Sequence, residues 1–276
     1  MRSIAAVVPW SGDARESRTL QSLRECGVVI DVALATTPGA SAPTESGTAI
    51  GVGTFWSKPS VLAILNWFER TSANDLLWIF PGGGFFSQAG LHRMQRCVSD
   101  TDASIVYGDF FDVSRDGTVS YHPLVDYHPG SVRDDFDFGS AVVINRKKLE
   151  RLAEILDRET PELRYGAWYD LRLRLAERGA ILHLPEPVYA RPRGEERSSG
   201  QKVFDYVDPR QRAYQVEMES VVSGHLQRVG ALVSTPDRIP MDDGAFYPVA
   251  ASVVIPVRNR ARTIGDAVGS ALAQHT

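Results

Sequence analysis

The chain has 276 residues, 43% of them hydrophobic and 23% charged, with a formal net charge of −4. These are the values of an ordinary folded protein and exclude a disordered or collagen-like chain. No run of Lys and Arg is long enough to follow a phosphate backbone, which excludes nucleic acid as a partner. At this length the expectation is one large α/β domain with an appendage.

Short β-branched runs alternate with helical stretches in the first 113 residues, the pattern of a mostly parallel sheet covered by helices. Residues 4–9 read as a strand. Residues 16–26 follow as a helix, with Leu20 and Leu23 on one face and Gly27 as its stop. Residues 28–35 are a second strand, apolar throughout as a buried parallel strand is. A loop rich in Pro, Ser, Thr and Gly covers 36–47, and 48–52 is a third short strand. Residues 58–70 are a helix with Val61, Leu62, Leu65 and Phe68 on one side. A strand at 76–80 runs into Pro81-Gly82-Gly83-Gly84, and a helix at 87–98 and a strand at 104–113 follow.

The middle of the chain changes character. Residues 118–121 are a short strand, 122–137 an irregular stretch rich in aromatics and Asp, and 140–144 another strand. Helices are expected at 145–157 and 167–178, and a strand at 181–189, broken by Pro185 and Pro187. Residues 191–201 form a polar loop. A long helix at 210–229 carries Tyr214, Met218, Val221, Val222 and Leu226 on its apolar side. Residues 234–250, with three prolines and Asp242-Asp243-Gly244, read as a linker between a domain at 1–233 and a segment at 251–276.

The two cysteines, Cys26 and Cys97, have no metal-type spacing and read as free thiols in a reducing compartment. His122 and His128 have no ligand-like spacing either. The first ten residues make no signal peptide, and no segment reaches the length of a membrane span. A cytoplasmic protein is expected, acting peripherally at the inner membrane face if its acceptor is membrane-borne.

Beyond the linker, residues 251–257 repeat the pattern of the first strand and 263–274 that of a helix. Setting Pro9 against Pro256 places Ala14-Arg15 opposite Ala261-Arg262. The run Ser252-Val253-Val254-Ile255-Pro256-Val257-Arg258-Asn259 resembles the opening strand and turn of family 2 glycosyltransferases, which usually reads S-V-V-I-P-x-x-N. Ile264, Ala267, Val268, Ala271 and Leu272 supply its amphipathic helix. Within the first domain, Tyr107-Gly108-Asp109 and Gly139-Ser140-Ala141-Val142-Val143-Ile144 resemble later strands of that family. The run Tyr169-Asp170-Leu171-Arg172-Leu173-Arg174-Leu175-Ala176-Glu177-Arg178-Gly179 resembles its E-D-W-D-L-W-L-R-L-A-E-R-G segment. The resemblance covers most of residues 3–192 and restarts at 251. It implies a GT-A fold, a Rossmann-like mixed, mostly parallel sheet flanked by helices, here with a C-terminal helical extension, holding a nucleotide at the strand ends.

By this resemblance the activity is transfer of a sugar from a nucleotide-diphospho-sugar to a glycan or lipid-linked acceptor, as in polysaccharide biosynthesis. The family neutralises the diphosphate with Mg2+ or Mn2+ on carboxylates and deprotonates the acceptor with a carboxylate base. The positions that carry this chemistry are altered here. Ala35-Thr36-Thr37 stands where an Asp follows the second strand, Pro81-Gly82-Gly83-Gly84 where the metal-binding D-x-D stands, and Ala167-Trp168 opposite the base pair E-D. No metal ligand is assigned.

The candidates that remain are Asp135 and Asp137 as catalytic carboxylates, in the same acidic stretch as Asp134. For the nucleotide-sugar they are Pro9 and Trp10 at the first strand's end, the backbone of Gly82, Gly83 and Gly84, and Arg191 and Arg193, with Arg197 nearby. A bare tight turn, a solvated acidic loop and exposed loop charges are the competing readings of these features. Two functions stay open, a transferase with an atypical site and a catalytically inactive nucleotide- or glycan-binding scaffold for a following tandem transferase domain. A nucleotidyltransferase-like relative shares the sheet but would carry a basic Gly-rich run after the first strand, which is missing.

Overall fold

The computed structural model describes residues 3–43, 47–192, 212–233, 251–258 and 260–274. The chain divides into two compact units, Met1–Leu232 and Val233–Thr276.

Among the described residues the first unit is built on a nine-stranded sheet. Its path runs β3 (Thr48–Gly51), β2 (Val29–Thr36), β1 (Ile4–Trp10), β4 (Asp75–Ile79), β8 (Ala141–Asn145), β6 (Ile105–Val113), β9 (Ile181–Pro192) and β5 (Phe85–Phe86), with β7 (Val119–His122) paired on β6. β3, β2, β1, β4, β6 and β9 run in one direction, and β8 enters between β4 and β6 in the opposite one. This is the mixed, mostly parallel α/β sheet expected from the sequence. Strand order reverses beside β1, between β2 and β4, so the C-terminal ends of β1 and β4 flank the switch point where such sheets bind ligands.

Both faces of the middle of the sheet are covered, and β1, β4 and β8 are apolar and buried along almost their whole length. Ile4, Ala6 and Val8 of β1 pack with Leu20 and Leu23 of α1 (Ala14–Glu25) and Leu91, Met94 and Val98 of α3 (Gln88–Thr101). Ala5 and Val7 point the other way, into a core shared with α2 (Lys58–Glu69), α5 (Leu152–Glu159), α6 (Ala167–Arg178) and α7 (Arg212–Arg228). That alternation is the two-residue period of a strand.

Three elements of the first unit differ from expectation. The helix predicted over 145–157 is two, α4 (Arg146–Leu149) and α5, because Arg151 takes a left-handed φ of 58° between them. The strand predicted to stop at 189 runs to Pro192. Its prolines are absorbed by register shifts opposite Asp109, where Leu184 pairs Gly108, Pro187 pairs Asp109 and Tyr189 pairs Phe110, so the ring nitrogens need no ladder bond. The two-residue strand β5 after the glycine turn carries no periodicity that a sequence reading can detect. The helix predicted over 210–229 is α7, with 210 and 211 outside the described residues.

The second unit contains α8 (Ala261–Leu272). Residues 251–257, predicted as a strand, have no regular structure, and Val253 and Val254 are 64% and 86% exposed. A strand requires a neighbour to take its N–H and C=O groups, and none of the described residues of this unit supplies one.

Candidate functional site

A cleft of about 440 Å3 opens where β4 ends and β8 begins, and it lies wholly within the first unit. The reversed direction of β8 makes this juxtaposition. Ile79 pairs with Ala141, and Phe80 N–H donates to the Ser140 carbonyl at 2.8 Å, so Phe80-Pro81 and Phe138-Gly139 lie side by side at the rim. Gly139 takes a φ of 72°, and a Cβ there would collide with the Tyr189 hydroxyl. That hydroxyl accepts the Ser140 N–H at 2.6 Å.

The irregular stretch before β8 forms one wall and is pinned along its length. Leu124 N–H donates to Asp109 at 2.7 Å, Tyr107 Oη to the Val125 carbonyl at 2.6 Å, and Arg172 Nη2 to the Arg133 carbonyl at 2.6 Å. His183 bridges two carboxylates, Asp109 and Asp126, each at 2.8 Å. Burial pushes the Asp109 carboxyl upward, but the hydrogen bonds from Leu124 N–H, Tyr121 and His183 outweigh it and hold the group below its ordinary value. Behind this wall Arg172, 1% exposed, packs over the rings of Tyr127, Phe138 and Tyr169. Desolvation lowers its pKa.

Helices α6 and α7 form the opposite wall. Tyr165, Trp168 and Tyr169 come from the start of α6, and Tyr214 and Met218 from α7. Glu217 of α7 accepts the N–H groups of Tyr165 and Gly166 at 2.9 and 3.2 Å, fixing the two residues that lead into α6. The Tyr214 hydroxyl donates to Asp134 at 2.7 Å and ties the two walls together. Burial and that carboxylate both raise the tyrosine's pKa. The floor is aromatic: Trp168 lies 5.1 Å from Phe80, edge-on, and 5.2 Å from Trp78, and Trp56 is 5.8 Å from Phe80.

Of the residues singled out from the sequence, Asp137 lines this cleft and its Oδ1 accepts the Gly139 N–H at 2.8 Å. Asp134 lines it too. Asp135 is not among the lining residues; it pairs with Arg133 at 3.0 Å, which lowers its pKa. Trp10 is 5% exposed, with its indole N–H on the Ser41 carbonyl at 3.1 Å, and Pro9 precedes it within β1. In the glycine turn, Gly83 N–H donates to Phe80 and Gly84 N–H to Thr19 Oγ1 at 3.1 Å, so a phosphate there would have to displace both bonds. Arg191 binds Asp112 at 2.8 Å and lies 4.1 Å over the Phe110 ring. Arg193 and Arg197 lie outside the described residues.

The structure therefore groups Asp134, Asp137 and an aromatic set that the sequence left unassigned. The signal was the density of rings in 121–138 and 165–169, which has no meaning until the reversed strand brings the two runs together.

The residues present do not fit the divalent cation that the resemblance implied. After β4 the chain offers Phe80, Pro81 and three glycines, which carry no oxygen-bearing side chain. No three or more His, Cys, Asp or Glu side chains among the described residues converge as a metal site. Trp168, where the resemblance places the base, presents a ring to the cleft instead of a carboxylate.

No protein-family profile and no curated protein matches the chain. Among solved structures it is similar to residues 1–349 of TarS from S. aureus, at 10% identity and a TM-score of 0.48 over 69% of this chain and 60% of that one. It is also similar to glucosyl-3-phosphoglycerate synthase from Mycobacterium tuberculosis, solved with Mn2+, UDP and glucosyl-3-phosphoglycerate, at 12% identity and 0.47 over 84% and 82%. A third is 2-C-methyl-D-erythritol 4-phosphate cytidylyltransferase from Thermus thermophilus, at 14% identity and 0.43 over 71% and 94%. Thus the chain spans under two thirds of the TarS structure's length. Among the described residues no helix is long and apolar enough to cross a membrane. The strand order, with β8 reversed between the parallel strands β4 and β6, establishes a GT-A-like, Rossmann-like α/β fold with its open cleft at the C-terminal end of β4.

Proposed function

We propose that residues 1–232 are a glycosyltransferase-like domain that recognises a sugar-bearing ligand in the aromatic cleft without metal-assisted transfer. One observation carries this reading: Trp168, at the position where the resemblance places the base, meets Phe80, the residue before the Pro81 to Gly84 turn that stands in place of the D-x-D, edge-on at 5.1 Å in the cleft. Aromatic faces with a few polar groups at the rim are the usual lining of a small-molecule site, and their planes suit the C–H faces of sugar rings. In the same reading residues 251–276 open a second domain of this kind, which the present domain serves as a recognition module.

Sugar transfer by an atypical site is the second reading, favoured by the carboxylate of Asp137 at the rim. It would use Asp137 or Asp135 as base, and Pro9, Trp10, the Gly82 to Gly84 turn, Arg191 and Arg193 for the nucleotide-sugar, with Mn2+ or Mg2+ supplied from solution. Titration of the full chain with UDP-, GDP- and dTDP-sugars and with oligosaccharides, with and without Mn2+, tests both. The recognition reading expects a tryptophan fluorescence change that is independent of Mn2+ and no turnover. Silence toward every sugar-bearing probe at millimolar concentration would refute it. Turnover that disappears in Asp137→Asn or Asp135→Asn would replace it with the second.

A further inference from the structure

The cleft also contains information about which sugars it accepts. Two carboxylates line it, Asp134 and Asp137, and no Lys or Arg does among the described residues. Arg172, behind the wall, is 1% exposed and covered by the Tyr169 and Phe138 rings, and Arg133 is taken by Asp135. A diphosphate brought here would meet like charge and lose its hydration without a guanidinium or ammonium among the described lining residues to replace it. An uncharged sugar has the opposite match. Its hydroxyls donate to carboxylate oxygens, each of which retains acceptor capacity beyond the bond already made to Tyr214 Oη or Gly139 N–H. Its apolar ring face stacks on Trp56, Tyr165 or Trp168.

We infer that the cleft is a binding site for the uncharged sugar rings of a neutral glycan and rejects the nucleotide diphosphate. This rests on the sugar-recognition reading and narrows it to a ligand class. The occupied face is the aromatic floor, and Asp134 and Asp137 select hydroxyl-bearing, uncharged rings from the rim.

The probes are cellohexaose, maltohexaose, mannohexaose and chitohexaose as neutral chains, hexagalacturonate as an acidic one, and UDP and UDP-glucose. Binding to the full chain is read by tryptophan fluorescence and by ligand-observed NMR. At least one neutral hexasaccharide is expected to bind, with affinity reduced at least tenfold in Trp168→Ala, less in Trp168→Phe, and reduced in Asp134→Asn. UDP is expected neither to bind in the cleft nor to displace the glycan. Trp56→Ala provides a second aromatic deletion if Trp168→Ala does not fold. Preference for hexagalacturonate, or binding of UDP or UDP-glucose with no neutral chain bound, overturns the inference and leaves sugar recognition standing. Neutral binding that survives both Trp56→Ala and Trp168→Phe at full strength also overturns it. No response to any sugar-bearing probe overturns both.

Discussion

The two sides of the switch point are finished differently. On the β1 side, the backbone donors are consumed by the protein's own groups. Glu16 accepts the N–H groups of Ser11, Gly12 and Asp13 at 2.6, 3.0 and 3.2 Å, and the Ser11 hydroxyl at 3.0 Å. Trp10 is buried on Ser41, and the glycine turn is bonded to Thr19. On the β4–β8 side the chain leaves an open aromatic cleft held between two walls. One end of the sheet thus has one side closed by internal hydrogen bonds and the other left accessible. The difference teaches that retaining a fold's framework and retaining its ligand contacts are separate matters.

The most severe way to break this contrast is at Gly139. Replacing it with Val imposes a side chain on a left-handed φ and on the Tyr189 hydroxyl, with an expected loss of about 3 kcal/mol, combining the costs of left-handed backbone and overpacking. Urea unfolding measures it, and an unchanged midpoint would show that the rim is not rigid. Next is Glu217→Ala, which leaves the Tyr165 and Gly166 amides without their acceptor and is expected to cost about 1–2 kcal/mol. Hydrogen exchange should speed at those two amides, and an unchanged rate would mean that α7 does not hold the cleft wall. On the closed side, Glu16→Ala is expected to cost about 1 kcal/mol, with faster exchange confined to residues 11–13.

The smallest effect is set by pH. Asp109 and Asp112 on the wall side and Asp13 on the closed side all have carboxyl groups held below their ordinary value in the folded chain, Asp13 at about 2 through Arg15. A depressed folded pKa stabilises fully above the unfolded value of about 3.9 and loses that contribution as pH falls through the folded one. Stability should therefore decline below about pH 4, and Arg15→Ala should flatten the part of the decline that runs toward about pH 2. A pH profile identical to wild type would remove Asp13 from this account.

Much of the framework was legible in the chain because strand and helix periods are local. β1, β2, α2, β4 and β6 fall within a few residues of where apolar runs and stop signals place them. The cleft was not legible, since it depends on five segments spread along the sequence. Trp56 follows β3, Phe80-Pro81 follows β4, the Asp134 to Gly139 run precedes β8, Tyr165 to Tyr169 opens α6, and Tyr214 lies on α7. Asp137, which lines the cleft, was singled out because acidic residues stand out, whereas Trp168 drew notice only as the residue occupying a carboxylate's expected place. Left-handed Arg151 and the bulges at Pro185 and Pro187 escaped for another reason: both are tertiary solutions to a local conflict.

The reversed strand β8 also has a consequence for how this protein can change over time. In an all-parallel arrangement the residues leading into a strand lie at the far end of the sheet from those leaving its neighbour. Here the segment leading into β8 arrives beside the exit of β4 without crossing the sheet. Residues 123–139 can therefore vary in length and composition without any strand changing register, but only between the points where Asp109, Tyr107, His183 and Arg172 hold them.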